Sequence, residues 1–497
     1  MKSCKNKKLN YNKKTKNKKS ITKYKGGSNN NNNNNNANNI PREYLCPISY
    51  NIMSDPVLTV DGYTYERSSI QRWFNSGKNT SPLTNEPLSS TDLIPNRVLK
   101  DLLDKFRIIR TNNDIKKAVN EWCSNREVAE QKYGHISEWD VSNVTDMKKL
   151  FYDKVNFNED ISKWDVSNVT IMESMFFNTK HFNQDINTKP VTRTDGSIYT
   201  AWDVSSVTDM AHMFDSAISF MGDLSEWDVS NVTDMTHMFW EASSFNGDLS
   251  EWDVSSVIGM IGMFMSATSF NQDISKWDVS KVIDLRGVFN EAISFNNGDE
   301  PGESNHPLGW DVSSANNMDY MFNRANNFNQ DISEWKVSKV TSMQNMFAFA
   351  ESFNQNINTK QVNRKKKYEM PFRDAGYNNL ANILGSFDNN ELDQEEMDWV
   401  EESAKNLLNQ EATYIAWDVG KVTNMSGMFY KATSFNNDIG DWNVANVKNM
   451  NQMFNKATSF NQDINSWRTI QVINKDSMFE DSPLAETPPN WYHPSAH

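Results

Sequence analysis

Residues 227–251 read WDVSNVTDMTHMFWEASSFNGDLSE, and close variants of this 25-residue stretch fill most of the 497-residue chain. Each copy begins at a tryptophan, continues through a Met-x-x-Met-Phe stretch and then reaches a Phe-Asn pair. A fixed period of this length predicts a solenoid, in which each unit stacks on its neighbours. The tryptophans recur at Trp139, Trp164, Trp202, Trp227, Trp252, Trp277, Trp310, Trp335, Trp417, Trp442 and Trp467.

Within one unit, which we call a coil, the apolar spacing predicts a short helix. Val232, Met235, Met238-Phe239 and Ala242 recur every three or four residues, which places them on one helical face. The run Phe-Asn-x-Asp-Leu/Ile-Ser-x-Trp that follows alternates like a strand. We therefore expect one short helix and one short strand in each of about eleven coils, which would span roughly 50 Å at strand spacing.

Three longer intervals between tryptophans, of 38, 33 and 82 residues, indicate insertions that keep the register. They place insertions near 188–201, 297–309 and 358–416 within a repeat region over residues 138–480. In the last insertion, Leu392, Trp399 and Leu407 share the face of an acidic helix, which is either a decorated loop or a docking helix for a partner. Residues 481–497 are assigned to a C-terminal tail.

These units resemble the BspA-like repeats, which are 25 residues long, are related to leucine-rich repeats and were first noted in bacterial surface proteins. The resemblance covers about residues 135–480. It implies a recognition surface without saying what is recognised. The methionines recur in every coil at helical spacing, which indicates core packing instead of a metal or redox site.

Two columns of aspartates leave two interpretations open, for example Asp248 with Asp253 and Asp273 with Asp278. Either they bind calcium between coils, or each carboxylate accepts hydrogen bonds from nearby backbone N–H groups. The sequence lacks the glycine-rich nonapeptide of calcium-binding solenoids, which favours the second interpretation.

Residues 41–110 differ from the repeats and predict a separate small domain. Asp61-Gly62 is a turn signal between strand-like runs at 57–60 and 63–65. An amphipathic helix follows from Arg67 to Phe74, and Asn96 is placed to cap a second helix over 97–109. The apolar residues expected in the core are Ile48, Met53, Val57, Tyr65, Ile70, Trp73, Leu88, Leu93 and Leu99.

A domain of this size is near the lower limit for a self-sufficient core and often needs a metal or a disulfide. Zinc is excluded, because residues 41–110 contain the single cysteine Cys46 and the first histidine of the chain is His135. Four thiolate or imidazole ligands cannot be assembled from these residues. The sequence therefore predicts neither a metal site nor a cofactor.

The domain resembles the U-box, the zinc-free relative of the RING finger found in ubiquitin ligases. The fold class expected for the whole chain is thus α+β, with a small RING-like U-box followed by an α/β solenoid. The residues that carry the resemblance include Cys46-Pro47-Ile48, Asp55-Pro56-Val57, Tyr65-Glu66-Arg67, Trp73, Pro82 and Leu93-Ile94-Pro95-Asn96.

The resemblance implies a ubiquitin–protein ligase that docks a ubiquitin-charged conjugating enzyme and presents ubiquitin to a protein substrate held by the repeats. Such ligases supply no catalytic residue, but order ubiquitin so that its thioester meets the incoming lysine. A basic residue just after the second loop commonly holds this closed state, and the matching position is the uncharged Asn85. The conjugating-enzyme contacts carried over are Ile48 and Tyr50 in the first loop, Trp73 on the helix, and Pro82 and Leu83 in the second loop.

Cys46 is expected to be structural, because no histidine neighbours it in the sequence and U-boxes form no covalent intermediate. The alternative function is a non-catalytic repeat scaffold, or a surface-recognition protein, with a vestigial U-box. A homodimer through the U-box is compatible with either function, since U-boxes of this type often pair.

The chain joins a basic tail to an acidic body. Residues 1–40 carry eleven lysines, no acidic residue and a run of asparagines, which predicts a disordered segment. Subtracting +11 from the net charge of −14 leaves −25 on residues 41–497. The alternative for the tail is nuclear import or nucleic-acid binding, but no RNA-binding signature favours a nucleic-acid partner.

Composition favours a reducing compartment, because three scattered cysteines form no disulfide framework. No run of 18 apolar residues occurs and the N-terminus lacks a secretory core, so no membrane partner is expected. We expect a cytoplasmic protein, with the nucleus as the alternative. The combination with a U-box resembles proteins of eukaryotes or of large DNA viruses that infect them, which would imply the host cytoplasm and a host–virus interaction. Residues 111–137 look like a helix that joins the two modules.

Overall fold

The computed structural model of the protein describes residues 41–193, 196–365 and 411–493. The described residues divide into two compact units, with the boundary between Leu103 and Asp104. The disordered tail predicted over 1–40 and the helix predicted to contain Trp399 lie outside the described residues.

The first unit is built on a three-stranded antiparallel sheet in the order β2-β1-β3. Its strands are β1 (Pro56–Leu58), β2 (Thr64–Glu66) and β3 (Ile94–Pro95). Helix α1 (Arg67–Asn75) follows β2 directly, and α2 (Arg97–Ile108) begins after β3. The predicted order of hairpin, helix, loop and second helix is confirmed.

A small core holds the first unit together. Of the predicted core residues, Met53, Val57, Tyr65 and Ile70 are fully buried, whereas Leu88 lies outside this cluster. Cys46 and Leu103 complete the buried set, and the residues packed against it include Ile48, Trp73, Phe74, Leu93 and Leu99.

Polar bonds fix the ends of these elements. The Oδ1 atom of Asn96 accepts a hydrogen bond from the Leu99 N–H at 3.1 Å, which confirms the predicted cap of α2. The Glu66 carboxylate accepts hydrogen bonds from the Ser54 and Asp55 N–H groups at 2.6 and 3.0 Å. Arg67 pairs with Asp55 at 2.6 Å, so the start of α1 is tied to the chain before β1.

The second unit begins with two helices where one joining helix was expected. After β4 (Ile109–Thr111) come α3 (Ile115–Ser124) and α4 (Arg126–Tyr133). Ile115, Val119 and Trp122 are buried in one core with the repeats, and the Trp122 ring meets that of Trp139 edge-on at 6.0 Å. Residues 111–137 are therefore part of the repeat unit's packing and cover its first coil, as a cap does.

In the described part of the repeat region, eleven coils follow, joined by parallel backbone bridges. Strand β5 (Asp140–Asn143) pairs in parallel with β4, and single-residue bridges then link each coil to the next. Inside the coils, equivalent rings stack; Trp227 and Trp252, for example, lie 6.4 Å apart with planes within 2°. The bridged residues are Asp146, Ile171, Asp209, Asp234, Gly259, Asp284, Asn317, Ser342, Asn424, Asn449 and Asn474.

The predicted short helix in each coil is wrong. The N–H groups of Met235, His237, Phe239 and Glu241 donate to carbonyls of the next coil at 2.8–2.9 Å, instead of along a helix. His237 and Glu241 both have a φ of 55°, so the segment is a series of tight turns. We call this eight-residue stretch of each coil, from the bridged residue onward, its ladder segment.

The apolar spacing predicted a helix because a series of turns of three and four residues buries the same positions as a helix does. Val232, Met235, Met238, Phe239 and Ala242 are all fully buried, as the helical spacing required. The predicted strand after the Phe-Asn pair is also wrong, since that run forms no regular strand and the bridge falls on Asp234.

The aspartate columns bond to the backbone, in agreement with the second of the two interpretations. The Oδ1 atoms of Asp248 and Asp253 accept hydrogen bonds from N–H groups two residues ahead, at 2.9 and 3.0 Å. Asp273 and Asp278 do the same at 2.9 Å. Across residues 41–193, 196–365 and 411–493, no three His, Cys, Asp or Glu side chains are grouped to hold a metal ion.

The insertions leave the stack as hairpins or loops. The first forms β6 (Lys189–Thr192) and β7 (Ile198–Ala201), and the third begins and ends with β8 (Lys360–Lys365) and β9 (Glu411–Ala416). The second insertion is a loop in which Asp299 accepts a hydrogen bond from the His306 ring at 2.7 Å.

The packed region also extends past residue 480, into the segment assigned to a tail. Leu484, in the short 3₁₀ helix Pro483–Ala485, is buried in the repeat core. Trp491 stacks on Trp467 at 6.1 Å and so continues the tryptophan column by one ring.

The asparagine of each Phe-Asn pair builds a further column of hydrogen bonds. The Oδ1 atoms of Asn246, Asn271 and Asn296 accept the backbone N–H of the equivalent residue in the next coil, at 2.8, 2.7 and 2.9 Å. Met221 occupies this position in one coil, where its thioether side chain is exposed. The Met221 N–H still donates to the Oδ1 atom of Asn183 at 2.9 Å, so the column is interrupted between Met221 and Asn246.

We expect Met221→Asn to stabilise the repeat unit by about 0.5–1.5 kcal/mol, the usual net value of one hydrogen bond. The new Oδ1 atom would accept the N–H of Asn246, as asparagines do in the neighbouring coils. The midpoint of urea unfolding measures the change. Met221→Ala is the matched control, and an equal gain in that variant would contradict the hydrogen-bond explanation.

Candidate functional site in the first unit

Two loops of the first unit have the same backbone construction. Loop 1 is closed by an antiparallel bridge between Leu45 and Ile52, and loop 2 by one between Thr80 and Pro87. In loop 1 the Cys46 N–H donates to Asn51 O at 2.8 Å, and the Tyr50 N–H donates to Cys46 O at 2.8 Å.

Loop 2 repeats these bonds at the equivalent positions. Ser81 N–H donates to Glu86 O at 2.9 Å, and Asn85 N–H donates to Ser81 O at 2.8 Å. Tyr50 and Asn85 are both left-handed, with φ of 54° and 61°. Sequence reasoning missed this equivalence, although its signal is visible as Cys-Pro-Ile-Ser at 46–49 and Ser-Pro-Leu-Thr at 81–84.

Both loops are anchored on strand β2 by a buried polar side chain. The Cys46 Sγ atom accepts a hydrogen bond from the Glu66 N–H at 3.3 Å, and the Ser81 Oγ atom lies 3.4 Å from the Tyr65 hydroxyl. Cys46 and Ser81 are each only 1% exposed. Both loops are therefore tied by hydrogen bonds to neighbouring residues of the same strand.

The geometry of Cys46 is that of an anchor. Burial acts to raise the pKa of its thiol, but hydrogen bonds with the backbone of Glu66, Ser49 and Ile48 outweigh burial and lower that pKa. A buried thiol engaged in this way cannot reach a substrate.

The five residues predicted to bind a partner lie in the two loops and on α1. Tyr50 and Leu83 project from the two loops and are 78% and 51% exposed. Ile48 and Trp73 are partly buried against the shared core, and Pro82 is also partly exposed.

Trp73 connects α1 to loop 2. Its Nε1–H donates to the Thr80 carbonyl at 2.8 Å, and the Lys78 ammonium lies 4.0 Å from the centre of its ring. The tryptophan is therefore held in one orientation by the residue that closes loop 2. An apolar set supported in this way suits a protein contact, because little side-chain freedom is lost on binding.

Asn85 lies exposed at the end of loop 2. Its side-chain amide forms no hydrogen bond with another residue of the described chain. Its backbone conformation is one that asparagine tolerates better than most residues. The side chain is thus available to a partner, as a neutral hydrogen-bonding group.

Comparison with known proteins identifies this unit. The U-box domain family matches residues 40–113. U-box domain-containing protein 12 of rice is 54% identical over 67 residues, which are 14% of this chain and 11% of the rice protein. WD repeat, SAM and U-box domain-containing protein 1 of zebrafish is 54% identical over 63 residues, 13% of each chain. U-box domain-containing protein 1 of Medicago truncatula is 43% identical over 103 residues, 20% of this chain and 15% of that protein.

The second unit gives the family of the chain as a whole. The family described as "Mycoplasma protein of unknown function, DUF285" matches residues 117–199, 190–300, 305–384 and 395–491, which together make up most of the sequence. The protein belongs to this family and carries a U-box domain ahead of its repeats. The resemblance predicted from the sequence, a U-box joined to 25-residue repeats, is thus confirmed. The chain spans only 11–15% of the length of the three U-box relatives.

Within residues 41–193, 196–365 and 411–493, no helix has both the length and the apolar character that a membrane span requires.

Proposed function

We propose that this protein is a ubiquitin–protein ligase whose U-box binds a ubiquitin-charged conjugating enzyme. The observation that carries the proposal is the pair of matched loops, which present Tyr50 and Leu83 around the oriented Trp73. The U-box match over residues 40–113 supports it. The U-box would contribute no covalent residue and would act by holding the thioester and the attacking lysine in place.

We further propose that the repeat region is a solenoid that holds the protein substrate. The parallel bridges and stacked rings from coil to coil support this architecture. The activity would lie in the cytoplasm, of the host cell if the source is a virus, with the nucleus as the alternative.

The test is a purified reaction that contains the full chain, ubiquitin, its activating enzyme and a panel of conjugating enzymes. Ubiquitin chains that form only when the full chain is present would support the ligase. Silence with every conjugating enzyme would contradict it and favour the alternative, a repeat scaffold with a vestigial U-box. The neutral Asn85 at the ubiquitin-closing position is the observation that favours this alternative.

Asn85→Arg is expected to raise the rate of chain formation several-fold. A guanidinium would form charge-assisted hydrogen bonds with the conjugating enzyme and ubiquitin, which are about twice as strong as neutral ones. Arginine is less favourable than asparagine in this left-handed backbone conformation, so the substitution should lower the stability of the domain by about 1 kcal/mol. Initial rates of ubiquitin discharge measure the effect.

Asn85→Ala is the matched control, because it meets the same backbone strain without a charge. We expect it to be slower than the native protein. An arginine variant that remains folded yet is no faster than the native protein would remove Asn85 from the closing role.

We also propose that the U-box forms a homodimer. Ile94 on β3 and Val98 and Leu102 on α2 are apolar and exposed, by 60%, 73% and 46%. Val98 and Leu102 are four residues apart and lie on one helical face. Light scattering should find twice the chain mass for the native protein and a single chain mass for Val98→Glu; a native monomer at micromolar concentration would refute the dimer.

A further inference from the structure

One outer face of the repeat unit carries a continuous line of aromatic rings. The Phe177 and His212 ring centres are 6.4 Å apart, those of His212 and His237 are 4.8 Å apart, and those of His237 and Trp240 are 4.8 Å apart. These residues come from the ladder segments of three successive coils. All four side chains are partly exposed, so the line is open to solvent.

Two glycines extend this line into the next coils. Gly262 and Gly287 occupy the ladder position of His212 and His237, with φ of 57° and 60°. A Cβ atom on Gly262 would collide with the His237 ring, and one on Gly287 would lie 2.9 Å from the Met265 methyl group. The His237 ring and the Met265 thioether therefore lie in the space that a side chain at each glycine would fill, which continues the line as far as Met265.

The coil that contains Gly262 has apolar residues or glycine at positions where the preceding coil has polar side chains. Where the preceding coil has Thr233, Asp234 and Thr236, this coil has Ile258, Gly259 and Ile261. Ile258 and the next coil's Ile283 are 49% and 50% exposed. We define the strip as the line Phe177, His212, His237, Trp240 and Met265, together with Ile261, which is partly exposed and precedes Gly262 in the sequence. A partly exposed set of aromatic and apolar side chains of this kind favours an interaction surface.

The surroundings of the strip are acidic. The five ladder segments from Ile171 to Glu291 contain one basic residue, Arg286, which is paired with Asp284 at 2.9 Å. Among the described residues, Lys148 and Arg324 of adjoining segments form ion pairs with Glu173 and Glu291, and Lys148 also interacts electrostatically with Asp209. The acidic residues of the five segments are Glu173, Asp209, Asp215, Asp234, Glu241, Asp284 and Glu291.

The charges around the strip favour a cationic ligand over an anionic one. Burial raises the pKa of Asp209, and the negative charges of the nearby Asp234 and Glu173 raise it further. Burial and the neighbouring His212 lower the pKa of His237, so its ring is neutral at neutral pH. The buried Nδ1 atom of His237 has no hydrogen-bond partner in the described residues.

We infer that the strip recognises an extended segment of a partner protein in which lysine or arginine residues flank apolar ones. The inference rests on the proposed function, because this partner would be the ligase substrate. Apolar side chains would pack on Ile261 and Met265, and cationic groups would lie over Trp240 and beside the carboxylates. Five coils at ~4.8 Å spacing match about six residues of extended chain. Nucleic acid is disfavoured, because its phosphates would lie near the carboxylates of Asp209, Asp234 and Glu241.

The direct test measures binding of the full chain to three labelled probes: a ten-residue peptide that alternates arginine with leucine, the same peptide with glutamate for arginine, and a ten-nucleotide RNA. We expect only the arginine peptide to bind. Trp240→Ala and Ile261→Ser should each weaken it about tenfold, or about 1.4 kcal/mol. Ile198→Ser is the control, because Ile198 is 69% exposed on the separate hairpin strand β7; it should leave binding unchanged.

Equal binding of the glutamate peptide or of the RNA would overturn the inference, as would strip variants that are folded by circular dichroism and bind like the native protein. The use of two strip variants keeps the test decisive if one of them fails to fold.

A second experiment separates this inference from the ligase proposal. The arginine peptide is fused to a stable reporter protein, and ubiquitin transfer to the reporter is followed beside autoubiquitination. Strip variants should lose transfer to the reporter about tenfold and retain autoubiquitination. If the native protein forms no chains at all, the ligase proposal fails, while peptide binding still decides the role of the strip.

Discussion

Ubiquitin chain formation should fall at least about tenfold in the Ile48→Ala variant. Ile48 is two residues beyond the anchored Cys46 and packs partly against the core, so its outer surface is held in place for a partner. Removing a central apolar contact from a transient interface costs about 2 kcal/mol or more, which corresponds to roughly 30-fold in affinity. Titration of the conjugating enzyme against the full chain, with chain formation read in parallel, measures the effect.

Two further variants make this prediction specific. Leu83→Ala tests the exposed apolar residue of loop 2 and should weaken binding in the same direction without loss of core packing. Val60→Ala is the matched control, because Val60 is an exposed apolar residue of the β1–β2 turn, 44% accessible, outside both loops. Full activity in a folded Ile48→Ala variant, or equal loss in Val60→Ala, would contradict the docking assignment.

Trp252→Ala is expected to destabilise the repeat unit by about 3–5 kcal/mol, the usual cost of removing a buried large aromatic side chain. The Trp252 ring stacks on Trp227 and Trp277, each at 6.4 Å, and its Nε1–H donates to the Leu224 carbonyl at 3.0 Å. The variant therefore leaves a cavity between two coils and removes one of the two hydrogen bonds that the Leu224 carbonyl accepts, while the bond from the Trp227 N–H remains. The midpoint of urea unfolding, followed by tryptophan fluorescence, measures the loss.

Trp252→Phe divides this effect into its two parts. It keeps a ring in the column but removes the N–H donor, so we expect a cost of about 1–3 kcal/mol. Ile470→Ala is the control, because Ile470 is 95% exposed on the last coil, and it should be nearly neutral. An unchanged midpoint for Trp252→Ala would show that the tryptophan column contributes little to stability.

The first unit could be predicted well because its signals are local. The turn at Asp61-Gly62 and the Asn96 cap each depend on a few neighbouring residues, and the structure contains both. The equivalence of the two loops was missed because it joins residues 35 apart, as in Cys46 and Ser81, whose side chains differ chemically. Cys46 and Ser81 each form a hydrogen bond with a residue of β2, and this common role can be recognised only from the folded structure.

The repeat unit shows where periodicity alone is insufficient. Spacing identified the buried face of each coil, including Met235 and Phe239, but could not tell a helix from a series of turns. The deciding factor is where the backbone N–H groups donate, and the carbonyl partner of His237 is Ile261 in the next coil. Trp491 was missed because the motif around it is incomplete, although its ring stacks like the others.

Those backbone bonds between coils also have a mechanical consequence. Each ladder segment is attached to the following one and has no helix of its own, so a coil released from its neighbour has no regular structure to retain. Under tension applied across the second unit, its length should increase in discrete steps as one coil after another detaches. A step without an insertion would release 25 residues, or roughly 85 Å of extended chain, and the three coils with insertions would give longer steps in single-molecule pulling.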